Sequence, residues 1–133
     1  MNAENPFERA PVIFRYTRAQ AIEDGVLVDL TEWAKETGFK VPVACTSAVW
    51  HGYVVPPSGT EKFGQCERGR GHDLLWMLWV AIKASKDAKK EQIMYQVLFL
   101  DVSGKTEEVT LKAHFGPGDD GELVVTIMLP DED

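Results

Sequence analysis

Three runs in the C-terminal third alternate apolar and polar residues with period two. Ile93, Tyr95, Val97 and Phe99 make the first, Val109, Leu111, Ala113 and Phe115 the second, and Leu123, Val125, Ile127 and Leu129 the third. A period of two puts each set on one face of a strand. Short turns, Val102–Gly104 and Gly116–Gly121, join the runs, which predicts a three-stranded antiparallel meander. Just before it, Leu74–Ile82 reads LLWMLWVAI, apolar all round, inside a helix expected from His72 to about Asp87. A helix of that kind is buried on most sides, so it is expected to be the central core helix covering the alternating face. Lys83, Lys86, Lys89 and Lys90 crowd its end, where cations complement the helix dipole.

The N-terminal half is built of shorter signals. Residues 1–11 form a polar, extended lead-in. Val12–Tyr16 reads as a short strand. Thr17 is placed to cap a helix over Arg18–Asp24 that Gly25 stops. Val26–Leu30 is a further short strand. Thr31 is placed to cap Glu32–Thr37, stopped by Gly38. Lys40–Ala44 carries Pro42, which lacks a backbone donor, so an edge strand or extended connector is expected. Thr46 or Ser47 caps a short helix reaching about Tyr53. The stretch 54–71 holds two prolines and four glycines and reads as a long loop. Residues 130–133 form an acidic tail. The fold class expected is therefore α+β: a C-terminal three-stranded antiparallel meander packed on a central apolar helix, with short N-terminal strands and helices, as a single domain over 1–133.

Composition narrows the function classes. A chain of 133 residues suits one domain. The net charge of −7 disfavours nucleic acid and anionic membrane as partners. No run of about 18 apolar residues exists to span a bilayer. The first residues carry Glu4, Glu8 and Arg9 and do not resemble a signal peptide. Without an export signal, Cys45 and Cys66 read as reduced thiols, Cys45 as a core residue, and the expected location is cytoplasmic. A protein partner is the expected one, and the oligomeric state is left open.

Candidate chemistry is sparse. Asp119, Asp120 and Glu122 gather in the glycine-rich turn, either as an acidic recognition tip or as ordinary hairpin chemistry. Cys45 and Cys66 are each followed six residues on by a histidine, His51 and His72. That spacing fits neither a zinc knuckle nor a nucleophile and base on one helix face. Lys62, Arg68, Arg70 and His72 make the long loop locally basic, balanced by Glu61 and Glu67. The strand face opposite the core is mixed: Met94, Leu98, Lys112, His114, Val124 and Met128 are a candidate partner surface, unless the N-terminal helices cover it. No catalytic, cofactor-binding or metal residues are assigned, and no cofactor is expected.

Several segments together resemble a known family. They are Val12–Leu30, Pro42–Ala44 with Ala48–Trp50, Asp73–Met77, and Gly116–Glu122 with Thr126–Asp133. The chain resembles a family of small bacterial proteins of unknown function often found on plasmids and other mobile elements. The resemblance covers most of Pro6–Asp133 and implies no activity, cofactor or catalytic residue. It implies an acidic residue where Cys66 stands and a bulky apolar pair where Gly71-His72 stand, so a Cys66–His72 site would be peculiar to this chain. The function expected first is a non-enzymatic protein-binding module of a mobile element, in counter-defence or maintenance. The alternatives are a small enzyme or nucleotide-binding domain using the 54–71 loop as a lid, and an acidic nucleic-acid mimic.

Overall fold

The structure, a computed structural model, describes residues 16–85 and 90–133. The expected lead-in 1–11, nearly all of the expected strand Val12–Tyr16, and the expected helix end at Asp87 lie outside the described residues. The elements are α1 (Arg18–Glu23), β1 (Leu27–Asp29), α2 (Thr31–Thr37), β2 (Val43–Thr46), α3 (Ser47–Val49), α4 (Glu67–Ala84), β3 (Gln92–Leu100), β4 (Thr106–Pro117) and β5 (Leu123–Met128). A π-helical turn, Trp50–Val54, continues α3, and a 3-10 turn covers Glu61–Phe63. The class is mixed α+β.

The C-terminal strands pair as an antiparallel meander within a larger, five-stranded sheet of order β1-β2-β5-β4-β3. β2 runs parallel to β5, with Val43 opposite Val125 and Cys45 opposite Ile127. Pro42 suggests an edge strand or an extended connector. It stands just before β2, and its carbonyl accepts a hydrogen bond from Val125 N, so the missing donor costs no ladder bond. β2 is interior, and β1 and β3 are the edges among the described strands.

Local chemistry sets the helix ends. Thr17 accepts from Gln20 N while the Gln20 side chain accepts from Thr17 N, a reciprocal capping box for α1. Thr31 is the first residue of α2 rather than its cap. Asp29 Oδ1 accepts from Thr31 N, and Thr31 Oγ1 accepts from Val43 N, tying the helix start to β2. Gly38 ends α2 at φ +121°, a conformation that side chains disfavour. Thr46 Oγ1 caps α3 by accepting from Val49 N.

α4 begins at Glu67, capped by Cys66 Sγ accepting from Gly69 N, so the irregular stretch ends before residue 67 rather than at Gly71. Of the four glycines that suggested a loop, Gly69 and Gly71 are helical. At Gly71 a Cβ would come within 2.4 Å of the Trp33 ring, so glycine is what lets α2 and α4 approach. α4 is also not buried all round. Leu74, Leu75 and Leu78 are buried, whereas Trp76, Met77 and Val80 are exposed. Among the described residues the side of α4 that carries Trp76, Met77 and Val80 is left exposed.

The core lies between α4 and the sheet face predicted from the alternation. Tyr95, Val97, Phe99, Val109, Leu111, Ala113, Val125 and Ile127 meet Leu74, Leu75 and Leu78, with Val43, Cys45 and Val49 alongside. Tyr95 Oη donates to Leu74 O across this layer. Leu123 is the exception, exposed at the start of β5.

Candidate functional site

A large concavity opens where the α2–β2 connection meets the end of α4. Its origin is local. Gly38 turns the chain after α2, so that Phe39 points inward while Lys40 is exposed. Trp79 of α4 then meets Phe39 edge to face, with ring centroids 5.4 Å apart. One turn further along α4, Lys83 lays its ammonium over the Trp79 ring at 4.6 Å from the centroid, a cation–π contact. Val41, Ile82, Ile93 and Phe115 complete an apolar floor, in a groove of about 800 Å³. Lys40, Lys83 and Lys90 stand on its rim, against the single carboxylate of Glu91 among the described lining residues. On a chain of net charge −7 this is a local inversion of sign. Apolar floor and cationic rim together match a partner that carries apolar side chains next to carboxylates. No imidazole or thiol lines the groove among the described residues.

The residues singled out from sequence fall elsewhere. Asp119 caps α1 from across the chain, its two carboxylate oxygens accepting from Arg18 N and Ala19 N. Glu122 accepts from Asp120 N, and Gly118 N donates to Glu122 O, closing the turn. The acidic turn is thus joined to the N-terminal part of the molecule. Among the described residues no group of three or more His, Cys, Asp or Glu side chains could hold a metal ion.

Cys66 and His72 line one shallow cavity together with Glu36, Arg68, Trp33 and Gly69. Arg68 and Glu36 are paired there at 2.7 Å. Cys45 is in the core, where burial pushes its thiol up to about 12. It is far too weak an acid to supply thiolate near neutrality.

The strand face opposite the core is divided. Val124 and Met128 are buried, 5% and 7% exposed. Arg18 of α1 lies across this half, its guanidinium donating to Thr126 Oγ1 and Val125 O. At the other end of β5 the last residues fold back. Glu132 Oε1 accepts from Thr46 Oγ1 and Leu129 N, and Lys112 Nζ donates to Glu132 O. Glu132 is therefore an internal tie within the 130–133 segment. Met94 and Leu98 on β3 are 51% and 58% exposed, and His114 is exposed beside them.

Sequence reasoning missed two features. The first is the groove. Its only trace was the lysine-rich end of α4, read as dipole compensation. The second is Arg70, read as a loop cation. It is 3% exposed, with Nε donating to Tyr53 O, Nη1 donating to Gln65 Oε1 and Leu100 O, and the guanidinium 4.7 Å from the Phe99 centroid. Burial lowers its affinity for the proton, with Asp73 and then Glu107 opposing. Carbonyl dipoles and a ring face take the place of water around the charge. Arg70 fastens the π-helical turn and the 55–66 stretch to the end of β3.

No helix among the described residues is long and apolar enough to cross a membrane. No curated protein and no solved structure matches the chain. One family model matches residues 1–133, that of a family of unknown function designated DUF6573, and the chain belongs to that family.

Proposed function

We propose that this chain is a non-enzymatic protein-binding module whose groove beside Trp79 receives an acidic, amphipathic segment of a partner protein. The observation that carries the reading is the inversion of charge around an apolar floor: Lys40, Lys83 and Lys90 ring Phe39, Trp79 and Phe115 on an otherwise acidic protein. The proposed setting is the cytoplasm of a bacterium, on a plasmid or other mobile element, in counter-defence or maintenance. That setting rests on the resemblance of the segments quoted above. The lid-based enzyme reading is weaker because Arg70 and Thr60 pin the 55–66 stretch, Thr60 being fully buried with its hydroxyl donating to Pro57 O. The nucleic-acid mimic is weaker because Asp119 and Glu132 are engaged internally rather than arrayed like phosphates.

The test is selection from a random peptide display library against the purified chain, followed by titration of an enriched peptide using Trp fluorescence and anisotropy. Enrichment of peptides combining Asp or Glu with large apolar residues is expected, with binding that weakens as salt rises. The triple variant Lys40→Glu, Lys83→Glu, Lys90→Glu is expected to lose at least ~10-fold in affinity, a coupling of about 1.4 kcal/mol. Enrichment without acidic residues, or affinity indifferent to the triple variant, would overturn the proposal.

A further inference from the structure

β3 is an edge strand of nine residues, QIMYQVLFL, without a charged residue, a proline or a glycine. Edge strands in soluble proteins are ordinarily protected by lysine, proline, bulges or shortness, because an open edge pairs with other chains. The opposite edge, β1, is protected by its length of three residues and by Asp29. β3 has no such device. In a chain with 26% charged residues, a nine-residue uncharged edge is a marked departure.

The ladder shows which groups the edge offers. Phe115 N donates to Glu91 O and Asp101 N donates to Lys105 O, so the odd-numbered residues of this strand turn their backbone groups toward β4. Gln92, Met94, Gln96, Leu98 and Leu100 therefore turn theirs outward. Among the described residues only Leu100 O has a partner there, Arg70 Nη1. The same outward residues send their side chains to the open sheet face, where Met94 and Leu98 are more than half exposed.

α4 adds a second strip on the other side of the same edge. Arg70 reaches the outer edge of β3 from α4, which identifies the side of the helix that overhangs it. Met77 lies seven residues, about two turns, beyond Arg70 and so on that side. Met77 and its neighbour Val80 are exposed. Trp33 and Glu36 of α2 meet Gly71 and Arg68 on the opposite flank of α4, leaving the Met77 flank unpartnered among the described residues.

We propose that β3 pairs antiparallel with β3 of a second copy of this chain, about a two-fold axis at Gln96, to make one continuous sheet. The strand is self-complementary only about that centre over its full length. Gln96 then faces Gln96 of the other copy and Met94 faces Leu98, while Gln92 and Leu100 stand opposite at the ends, where Leu100 O also accepts from Arg70. Each Met94–Leu98 contact joins exposed apolar side chains directly across the seam. The flanking β4 residues in that row are Lys112 beside Met94 and Glu108 beside Leu98, so each row ends in opposite charges across the two-fold. A two-fold contact between identical patches closes on itself, which limits assembly to a dimer. The groove meets this strand only at its start, at Lys90, Glu91 and Ile93, and the proposal does not depend on the groove's function.

The experiment is sedimentation equilibrium of the full chain over a wide concentration range, with variants that act on the outer edge alone. A wild-type dimer is expected. Gln96→Pro removes only an outward N–H and leaves the β4 ladder intact, and Leu98→Lys places a charge on the seam. Each is expected to raise the dimer Kd at least ~100-fold, with far-UV circular dichroism unchanged. The register has its own readout. In a Cys66→Ser background, Gln96→Cys is expected to form a covalent dimer on mild oxidation, because paired Cα atoms stand about 5.5 Å apart at such a position. Met94→Cys alone is expected not to, since it faces Leu98. A wild-type monomer at all concentrations, or a dimer unaffected by both Gln96→Pro and Leu98→Lys, overturns the proposal. Efficient crosslinking by Met94→Cys instead of Gln96→Cys overturns the register on which it rests.

Discussion

β5 and β3 belong to one sheet and look alike as sequence: both are apolar on the core face and partly apolar on the other. Their environments differ completely. β5 lies between β2 and β4, with α1 and the returning C-terminal residues against its second face, and Val124, Val125, Ile127 and Met128 are all buried. Among the described residues β3 has one neighbouring strand and one covered face, with Met94 and Leu98 exposed. Apolar residues on the second face of a strand thus have two meanings. On β5 they are core beneath an N-terminal helix. On β3 they flank an open edge. Position in the sheet decides which, and position is a tertiary property.

The comparison can be broken at several points, from the largest effect to the smallest. Ile127→Ala, at the centre of the doubly covered strand and fully buried, is expected to cost about 4 kcal/mol in denaturant unfolding. A cost below 1 kcal/mol would mean that β5 is not the interior strand described. Arg70→Met keeps the apolar stem and deletes the charge that ties the π-helical turn to the end of β3. It is expected to cost about 3 kcal/mol, since it leaves Tyr53 O and Leu100 O to find other donors. Hydrogen exchange should speed up in the 55–66 stretch well before it does in β5.

The third prediction concerns pH. Cys45 is buried in the core on β2, beside Ile127 of β5, and burial raises its thiol from an ordinary value near 9 to about 12. Burial also raises Tyr95, with the nearby Cys45 adding to the shift. For Cys45 the unfolded chain releases its proton first as pH climbs. Stability from this group is therefore complete below about pH 9 and falls through the window up to about 12. Between about pH 8 and about pH 10.5 the expected loss is about 2 kcal/mol. Cys45→Ala should flatten the curve by most of that amount; an unchanged slope would contradict the burial of the thiol.

Asp119→Ala removes the carboxylate that accepts from the first two N–H groups of α1 and is expected to cost about 1 kcal/mol. Its signature is local: faster hydrogen exchange in α1 and around Val124, with β3 unaffected. Leu98→Ala, on the open strand, is expected to change monomer stability by no more than about 0.5 kcal/mol. Its effect belongs to self-association, so unfolding at low and high protein concentration separates the two.

Much of the fold was legible in the order of residues, because its signals are local. A period of two marks β3, β4 and β5 and their core face without reference to neighbours. Thr17 and Gly38 mark helix ends through hydrogen bonds only a few residues long. The apolar run at Leu74–Ile82 marks the core helix. The errors lie where a local signal has two physical causes. Gly69 and Gly71 signal a loop, yet Gly71 is a glycine because the Trp33 ring occupies the space of its side chain. Pro42 signals an edge strand or a connector, and it stands in the connector, one residue outside the ladder of an interior strand. Asp119 and Glu122 read as hairpin chemistry or a recognition tip, and no local signal says that Asp119 also caps a helix a hundred residues away. Of the candidate site, the lysines and aromatics were visible one by one, but Gly38 and the end of α4 are about forty positions apart, and nothing local says that they meet.

The sequence by itself determined the strands, the core helix and the face they share, because hydrophobic periodicity and capping act over a few residues. Only the tertiary structure decided that β2 slides in parallel to β5, that Arg70 is buried, that Lys40 and Lys83 close on one groove, and that β3 is left as an open edge. Each of those depends on which distant segments pack together, and that choice is made by the burial of the whole core rather than by any one stretch of chain.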